Sequence, residues 1–423
     1  MCSYGYRGFE SLPLRHFPPF PAAFRIPLPN VLGYTAIIMP EIFYNAMVLR
    51  EPYSGVEVTV HQLACALAQY GSFPACACVP AGHRAIPAAP HLRLRTTCAP
   101  VSRSRLLRIV WEQTVLPLLL LRARAPLLHA PAYVAPLLAP CPVVLTIHDL
   151  HVMTHPQFCR KRNILHYKLL IPPSVKKAAA IIAFSPYTKQ TVLTRFPAVR
   201  EERIHVIPPG LSQTMTRCTD YARLQAVRQR YGLPTSFLLF VGDLTSRKNI
   251  LGLISAFAIV QGERPDLHLV LAGAADSATA AAIDAAIRQN GVRHRVSRTG
   301  YVNAEDLPVL YSLAQAFVFP SHDEGFGLPP LEAMACGCPV VCSGGAVIEN
   351  CGTAAVTCDP RDRTSIASAV SLLLDHPVFR KEKIEAGYRK AAEFTWEKSA
   401  RATEAVYQSV LGSSSSARQE VSS

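Results

Sequence analysis

Two glutamates that stand eight positions apart, Glu324 and Glu332, are the first residues of this chain whose types and spacing suggest chemistry. They occur in the segment SHDEGFGLPPLEAMACGCPVV (residues 321–341), with Gly-Phe-Gly after the first and two prolines before the second. Carboxylates accept hydrogen bonds from neighbouring hydroxyl groups, and small residues beside Phe326 let backbone amides turn toward a ligand. The segment therefore favours a ligand rich in hydroxyl groups. The alternative is a helix-capping Glu332 and an incidental surface Glu324.

A second candidate is the segment VGDLTSRKN, in which Gly242 ends an apolar run and Arg247 and Lys248 precede a helical pattern. The glycine lets the backbone approach a ligand closely. The first amides of a helix have no partner within the helix, so two cations beside them suit a diphosphate. The segment lacks the GxxxxGK[ST] pattern of a Walker A loop. Taken alone, an adjacent Arg-Lys pair is more often solvated surface, and that alternative stays open here.

The elements that must position these residues follow from alternating apolar runs and helical patterns. The run AFVFPS predicts a strand before Glu324, which places Glu324 in a loop and Glu332 in the first turn of the next helix. In the first half, GYTAIIM (33–39) predicts a strand, Gly55 a turn before a helix, and PVVLTIHDL a strand that ends at His148. Both halves alternate in this way, which predicts an α/β fold with two doubly wound, Rossmann-like parallel sheets facing across a cleft. Ligands of such sheets bind at the carboxyl ends of the strands.

The same patterns divide the chain into five segments. We predict an N-terminal extension outside the fold (1–32), a first Rossmann-like domain (33–215) and a second one (216–395). A C-terminal helix (396–411) is expected to pack back toward the first domain. The polar tail GSSSSARQEVSS (412–423) predicts disorder.

The composition indicates the cellular compartment of the protein. Thirteen cysteines occur without a paired framework, which indicates free thiols in a reducing cytoplasm. The N-terminus has arginines and prolines where a signal peptide needs an apolar core. The longest uncharged stretch, Ala125 to His148, contains five prolines and two histidines, so we expect buried strands and loops there and no membrane span.

Charge separates the two halves. Residues 1–215 hold 22 Lys and Arg against 8 Asp and Glu, whereas residues 216–423 hold 21 against 21. Within the basic half, SRSRLLR (102–108) leads into the apolar segment IVWEQTVLPLLLLRARA, a combination that suits contact with anionic lipid headgroups. A solvated helix with one buried face explains the same pattern. No nucleic-acid recognition motif occurs, so we expect no nucleic-acid partner.

Together these motifs resemble the retaining GT-B glycosyltransferases of family 4, also called glycosyl transferases group 1. The resemblance covers about residues 33–411, and its most specific part is the E-x7-E motif with the upstream SRKN. Supporting stretches are LTIHDL, IIAFSPYTKQ, HVIPPG, LVLAG, TGYV, LYSLAQAFVFPS and FTWEKSA. The chain looks most like bacterial mannosyltransferase-like enzymes of surface polysaccharide and lipopolysaccharide assembly.

The resemblance implies roles in the second domain, which would bind the nucleotide sugar. Glu324 would lie beside the transferred sugar, and Glu332 would hold the ribose of the nucleotide. Arg247 and Lys248 would bind the diphosphate and stabilise the departing nucleoside diphosphate. Many relatives carry an arginine at the position of Asp243, so in this chain that charge would come from Arg247 and Lys248 alone.

The resemblance also implies roles for backbone amides of the second domain and for residues of the first domain, which would bind the acceptor. Amides around Phe326, Gly327 and Leu328 would bond the sugar hydroxyls. His148 would reach across the cleft to the donor sugar, although a histidine that ends a strand is by itself more often structural. Gly55 would allow close approach to the phosphates.

The function that the resemblance implies is transfer of a hexose from a nucleotide sugar to a glycan or lipid-linked glycan, with retention at the anomeric carbon. GDP-mannose is the favoured donor. We expect no metal requirement, because no Asp-x-Asp motif or histidine cluster stands out. Two alternatives stay open: another enzyme on the same fold, such as a sugar phosphorylase or nucleotide-sugar epimerase, and a non-catalytic glycan-binding or scaffold relative. The expected location is the cytoplasm, with peripheral contact at the inner face of the plasma membrane.

Overall fold

The computed structural model describes residues 41–50, 53, 55–83, 86–87, 89–159 and 161–420, except the side chains of 161–163 and 414–420. The described residues belong to one compact unit. The predicted N-terminal extension (1–32) and the predicted strand at 33–39 lie outside the described residues. None of the helices in the described part of the chain is long and apolar enough to cross a membrane.

The first half forms a seven-stranded parallel sheet in the order β3-β2-β1-β4-β5-β6-β7. Its strands are β1 (Ile42–Asn45), β2 (Ala75–Val79), β3 (Leu92–Thr96), β4 (Leu128–Ala130), β5 (Val143–Ile147), β6 (Ala180–Ala183) and β7 (Ile204–Val206). Most are buried and apolar throughout, because both faces of the sheet are covered. In β1, for example, Ile42 and Tyr44 enter one core and Phe43 enters the other.

Helices of the first half connect these strands. They are α1 (Gly55–Tyr70), α2 (Ala99–Arg103), α3 (Arg105–Arg122), α4 (His151–Thr154), α5 (Lys161–Lys177) and α6 (Pro186–Arg195). The start of α6 follows directly from its sequence. The Ser185 hydroxyl accepts a hydrogen bond from the Thr188 amide, and Pro186 takes the first helical position, where its missing N–H costs nothing.

The second half forms a six-stranded parallel sheet in the order β10-β9-β8-β11-β12-β13. Its strands are β8 (Phe237–Val241), β9 (His268–Ala272), β10 (Val296–Gly300), β11 (Ala316–Phe319), β12 (Val340–Cys342) and β13 (Val356–Thr357). Its helices are α7 (Tyr221–Tyr231), α8 (Ile250–Glu263), α9 (Ser277–Gln289), α10 (Leu307–Leu313), α11 (Leu328–Ala335), α12 (Gly345–Cys351), α13 (Arg363–Asp375), α14 (Pro377–Ala391) and α15 (Trp396–Glu420).

The two sheets confirm the predicted fold class. In each sheet the strand order reverses beside one strand, β1 in the first and β8 in the second. Such a reversal opens a crevice at the carboxyl ends of the strands. The segments after β5, β8 and β11 carry the residues that the sequence singled out, so these residues lie at that edge of the two sheets.

The position of Glu332 within its helix differs from our expectation. Helix α11 begins at Leu328, after Gly327 at φ 89°, and has no acidic residue in its first turn. The two prolines occupy the second and third helical positions, where a missing N–H is tolerated. Glu332 is therefore the fifth residue of α11 and does not act on the exposed amides at the start of the helix.

Helix α15 ends later than predicted and returns to the first half. It continues to Glu420, whereas the tail pattern predicts disorder from residue 412. Serine is only modestly worse than alanine inside a helix, and a helix that has already formed gains one hydrogen bond per added residue. The Glu404 carboxylate accepts hydrogen bonds from the Ser72 and Phe73 amides at 2.7 and 3.1 Å. The Tyr407 hydroxyl lies 2.6 Å from His129 Nδ1.

Candidate active site

Glu324 is the centre of a buried charged cluster in the second half. It follows β11 and is 7% exposed. Its Oε1 lies 2.6 Å from Lys248 Nζ and 2.7 Å from Arg247 Nη1. Both cations come from the turn between β8 and α8. Strand β8 is the neighbour of β11 in the sheet. The structure therefore brings together three of the predicted site residues.

The charges of this cluster depend on one another. Burial raises the pKa of the Glu324 carboxyl, but Lys248 and Arg247 outweigh that effect and the pKa falls to about 2. Burial lowers the pKa of Lys248, and Glu324 opposes this only in part. Burial also acts to lower the pKa of Arg247, but Glu324 raises it above the usual value. Glu324 is therefore an anion at neutral pH and can only accept hydrogen bonds.

His148 lies at the end of β5, on the first-half side of the same site. Its Nε2 donates to the Pro131 carbonyl at 2.7 Å, and its ring packs at 4.5 Å from Phe184. Burial is the main cause that lowers the pKa of His148. Because Nε2 is the donor, a neutral imidazole leaves Nδ1 as an acceptor.

The two halves touch where His148 meets the E-x7-E motif. A Cβ placed on Gly325 would stand 2.2 Å from the His148 carbonyl oxygen. The Gly325 carbonyl in turn accepts hydrogen bonds from the Ser185 and Thr188 hydroxyls at 2.8 and 3.0 Å. We expected Gly325 to free amides for a ligand. The structure shows in addition that Gly325 lets the backbone of the second half pack directly on the first, and the ligand role stays a prediction.

The residues after Gly325 are held by packing. Phe326 is buried and contacts Phe394 edge to face at 5.6 Å. Gly327 precedes α11 in the left-handed region that glycine favours, and a Cβ there would stand 2.6 Å from Val347. Leu328 is the first residue of α11. The backbone beside Glu324 is thus tightly packed by the protein itself.

Glu332 lies apart from this cluster. Its Oε2 accepts a hydrogen bond from the Tyr311 hydroxyl at 3.0 Å. Burial raises its pKa, and the hydrogen bond from Tyr311 opposes that shift. One carboxylate oxygen therefore has a protein partner, and the other is available to a ligand hydroxyl.

The two predicted glycines are placed differently. Gly242 directly follows β8 at φ 139°, and a Cβ placed on it would lie 4.0 Å from Lys248 Cε, so it borders the charged cluster. Gly55 is the first residue of α1, and the space where its Cβ would stand is open within 4 Å. No described contact joins Gly55 to Glu324, Arg247 or Lys248.

Sequence reasoning missed Asp323, which binds the two halves together beside Glu324. Its Oδ2 lies 2.9 Å from His151 Nδ1 and 3.1 Å from His155 Nδ1. Its Oδ1 accepts a hydrogen bond from the Tyr187 hydroxyl at 2.8 Å. We call these four residues the cross-cleft cluster. The pair of histidines four residues apart after β5 was the signal available in the sequence.

The cross-cleft cluster also corrects an expectation about metals. We expected no histidine cluster, but His151, His155 and Asp323 place one ligand atom each within 4.8 Å of one another. Imidazole and carboxylate groups of this kind suit a divalent transition metal. The hydrogen bonds to Asp323 account for the same geometry without a metal. The expectation that the chain needs no metal stays a prediction.

A cleft of about 550 Å³ opens beside the cross-cleft cluster. The first half contributes His155 and Phe158, and the second contributes His322, Ile348 and Arg361 among others. The Phe158 and His322 rings stack at 5.8 Å across the two halves. Its volume is within the range of small-molecule sites.

Comparison with known proteins agrees with this geometry. Residues 53–213 match the model of Glycosyltransferase Family 4, and residues 227–390 match that of Glycosyl transferases group 1. O-antigen chain mannosyltransferase B of Escherichia coli is 32% identical over 268 residues, which are 60% of this chain and 67% of that protein.

The chain belongs to the family 4, group 1 glycosyltransferases.

Solved structures agree on the fold of this glycosyltransferase. Sucrose-phosphate synthase from Thermosynechococcus elongatus superimposes with a TM-score of 0.69 at 22% identity, over 88% of this chain and 100% of that one. Anabaena HepE, in complex with UDP and glucose, gives a TM-score of 0.69 at 18% identity, over 87% and 99%. These likenesses establish the GT-B fold, with its two facing Rossmann-like sheets.

Proposed function

We propose that this glycosyltransferase moves mannose from GDP-mannose to a glycan or lipid-linked glycan, with retention at the anomeric carbon, in surface polysaccharide assembly. The observation that carries the proposal is the buried contact of Glu324 with Lys248 and Arg247 at the carboxyl ends of β8 and β11. Two fixed cations suit a diphosphate, and the Glu324 carboxylate beside them can accept hydrogen bonds from the hydroxyl groups of a sugar joined to it. The mannosyltransferase among the relatives supports the choice of sugar.

In this mechanism the cations of the second half stabilise the leaving group. The bond from the sugar carbon to the phosphate oxygen breaks as the acceptor oxygen bonds to the same face of that carbon. The departing phosphate oxygen takes the acceptor proton, and Arg247 and Lys248 balance the developing negative charge. Glu324 accepts hydrogen bonds from the sugar hydroxyls, and Glu332 accepts from the ribose. His148 contributes the opposite wall of the site.

Thermal unfolding with a panel of GDP-, UDP-, ADP- and dTDP-sugars tests the donor. A ligand that binds only the folded state raises the melting temperature, and we expect the largest rise with GDP-mannose. The variant Glu332→Gln should reduce the rise for every nucleotide that uses the ribose contact. A rise with another nucleotide alone would replace GDP-mannose, and no rise with any nucleotide would favour the non-catalytic glycan-binding alternative.

We further propose that the first half docks on an anionic membrane through α3. The outward face of this helix is apolar, because Leu106 and Leu121 are 69% and 62% exposed. The exposed apolar residues of α3 also include Leu107, Val110, Val115 and Leu118. The buried side of the helix is formed by Leu116, Pro117 and Leu120.

Charge and a neighbouring helix favour a lipid occupant for this apolar face. Arg103 and Arg122 stand near its two ends, and Leu165 and Leu169 of α5 add 64% and 63% exposed side chains. An apolar helical face flanked by arginine suits lipid chains below anionic headgroups. A lipid-linked acceptor would then meet the enzyme at the surface where it resides.

Vesicle flotation tests this contact. Binding to vesicles of phosphatidylglycerol and phosphatidylcholine should weaken with salt, since salt screens the charge term. The variant Leu106→Gln/Leu121→Gln should lose most binding. The matched control Leu251→Gln/Ile259→Gln changes two exposed apolar residues of α8 in the second half and should bind like the wild type. Equal binding by both variants, or salt-independent binding, would contradict the proposal.

A further inference from the structure

Arg50 is a partly buried cation in the first half whose charge the proposed mechanism does not use. It follows β1, and its Nε and Nη2 atoms are buried without a hydrogen-bond partner. A buried guanidinium nitrogen that has lost water and found no acceptor is costly. Buried polar groups of folded proteins nearly always have a partner, so an exception requires an explanation such as a water or an ion.

Arg108 of α3 acts on Arg50 through its charge and also lacks a hydrogen-bond partner for a buried nitrogen. Its Nε is buried without a hydrogen-bond partner, and the nearest carboxylate oxygen, Glu112 Oε2, stands 3.9 Å away. The other oxygen of Glu112 accepts a hydrogen bond from Asn45 Nδ2 at 3.1 Å. Glu112 is therefore held at the end of β1, close enough to attract Arg108 but too far to satisfy its Nε.

Arg105 completes a group that we call the arginine cluster (Arg50, Arg105 and Arg108). Burial lowers the pKa of Arg50 first, the charges of Arg108 and Arg105 lower it further, and the carboxylates of Glu112 and Glu57 oppose the shift only in part. Burial and then the same two arginines lower the pKa of His166 on α5 to about 4. Three cations thus converge between the end of β1, the start of α3 and α5.

The arginine cluster is connected to the candidate active site by aromatic contacts. Tyr167 follows His166 on α5, and its ring contacts that of Tyr133 in a tilted arrangement with the centroids 5.4 Å apart. Tyr133 donates to the Asp149 carboxylate at 3.0 Å, and its ring lies 5.0 Å from that of His148. The wall of the first half that leads from His148 therefore ends at the arginine cluster.

We infer that the arginine cluster binds the phosphate or diphosphate group of an anionic acceptor. This inference rests on the proposed glycosyl transfer and specifies its acceptor. Guanidinium groups match phosphate oxygens with paired hydrogen bonds, so a phosphate between Arg50 and Arg108 would supply the acceptors that both lack. Arg247 and Lys248 already face Glu324 in the other half, which makes the arginine cluster a second anion site on the acceptor side.

The geometry also agrees with the position of α3. Arg105 and Arg108 lie in the first turns of the helix whose outward face is apolar. In a diphosphate-linked acceptor, the diphosphate joins the sugar to the lipid. An acceptor bound in this way would place its diphosphate at the arginine cluster, its lipid along α3 and its sugar toward His148.

Calorimetric titration with inorganic pyrophosphate tests the site without catalysis. The wild type should bind at two sites, one at Arg247 and one at the arginine cluster. Arg247→Gln should retain the second, and Arg50→Gln/Arg108→Gln should retain only the first, with at least about tenfold weaker binding at the lost site. The control Arg195→Gln/Arg200→Gln removes the same charge from exposed positions and should match the wild type. Unchanged titration of Arg50→Gln/Arg108→Gln would overturn the inference.

Kinetics distinguish an acceptor phosphate from the phosphate of a membrane lipid. In detergent without phospholipid, Arg50→Gln/Arg108→Gln should raise the KM for a diphosphate-linked acceptor about tenfold or more and leave kcat nearly unchanged. The same glycan on a neutral alkyl chain should show no such change. An equal loss with both acceptors would show a structural role and overturn the inference. If the wild type has no transferase activity but Arg50→Gln/Arg108→Gln still loses pyrophosphate binding, the proposed function is refuted and the anion site is retained.

Discussion

The two halves of this glycosyltransferase hold their buried cations in different ways. In the second half, Arg247 and Lys248 converge on Glu324 at 2.7 and 2.6 Å. In the first half, Arg50 and Arg108 leave buried nitrogens without partners. The second half is therefore complete in its ion pairs before a ligand arrives, and in our proposal a diphosphate shares its cations with Glu324. In the first half, Glu112 attracts Arg108 and Arg50 but accepts no hydrogen bond from their buried nitrogens, so in our proposal the ligand supplies the missing acceptors.

The largest effect should follow from removing a cation on the completed side. Lys248→Met leaves Glu324 buried with one cation fewer, and losing one partner of a buried ion pair typically costs about 3–5 kcal/mol. We expect unfolding at lower urea concentration and loss of transfer.

A double variant separates the two effects of that change. Lys248→Met/Glu324→Gln removes the unpaired charge and should recover much of the lost unfolding free energy, since the remaining partner is neutral. Transfer should stay absent, because both groups face the donor. If the double variant is as unstable as Lys248→Met, the contact between Lys248 and Glu324 is not the source of the stability.

A smaller effect is expected where the halves meet, in the cross-cleft cluster. Burial acts to lower the pKa of His151, but Asp149 and Asp323 raise it above the usual value. Burial acts to raise the pKa of Asp323, but His151 and Tyr187 lower it. The stabilising attraction is thus complete between the unfolded pKa values of Asp and His, about 3.9 and 6.5. It is lost as pH rises through the folded pKa of His151 or falls through that of Asp323.

Asp323→Asn should weaken this contact and reduce kcat/KM about tenfold, since a hydrogen bond to a charged group is worth about 1.5–3 kcal/mol. Urea unfolding at pH 6 and pH 8.5 measures the electrostatic part. From pH 6 to pH 8.5, the unfolding free energy of the wild type should fall by more than that of Asp323→Asn. Tyr187→Phe is a useful control, because it removes a hydrogen bond to Asp323 without removing the charge. Identical pH dependence in wild type and Asp323→Asn would refute the role of His151.

The sequence predicted the second half better than the first for a physical reason. Glu324, Arg247 and Lys248 each follow a strand in a short contiguous motif, and neighbouring parallel strands end at the same edge of a sheet. The arginine cluster joins a loop after β1 to the start of α3, and no contiguous pattern records that approach. The cross-cleft cluster joins the two halves, so its partners depend on how the sheets face each other.

Some details within the predicted motif also required the structure. The sequence assigned Gly325 to ligand amides, but its contact with the His148 carbonyl depends on the opposite half. The sequence placed Glu332 in the first turn of its helix, but the helix begins at Leu328, before the prolines. Strands β1, β2, β3 and β13 were not predicted. In β2 and β13 the reason is that ACACV and VT offer few of the larger apolar residues that mark a buried strand.

The smallest effect should come from Glu332, which belongs to the completed half but has only the Tyr311 hydrogen bond among its described contacts. Burial raises the pKa of its carboxyl, so the neutral amide of Glu332→Gln costs the fold little and still accepts from Tyr311. The variant should weaken nucleotide binding about fivefold to tenfold, the order expected from replacing one charged hydrogen bond to ribose. A 2′,3′-dideoxyribonucleotide measured on wild type and variant should remove that difference. If the difference persists without ribose hydroxyls, Glu332 acts through the packing of α11, and the donor half would be less complete than its charged cluster indicates.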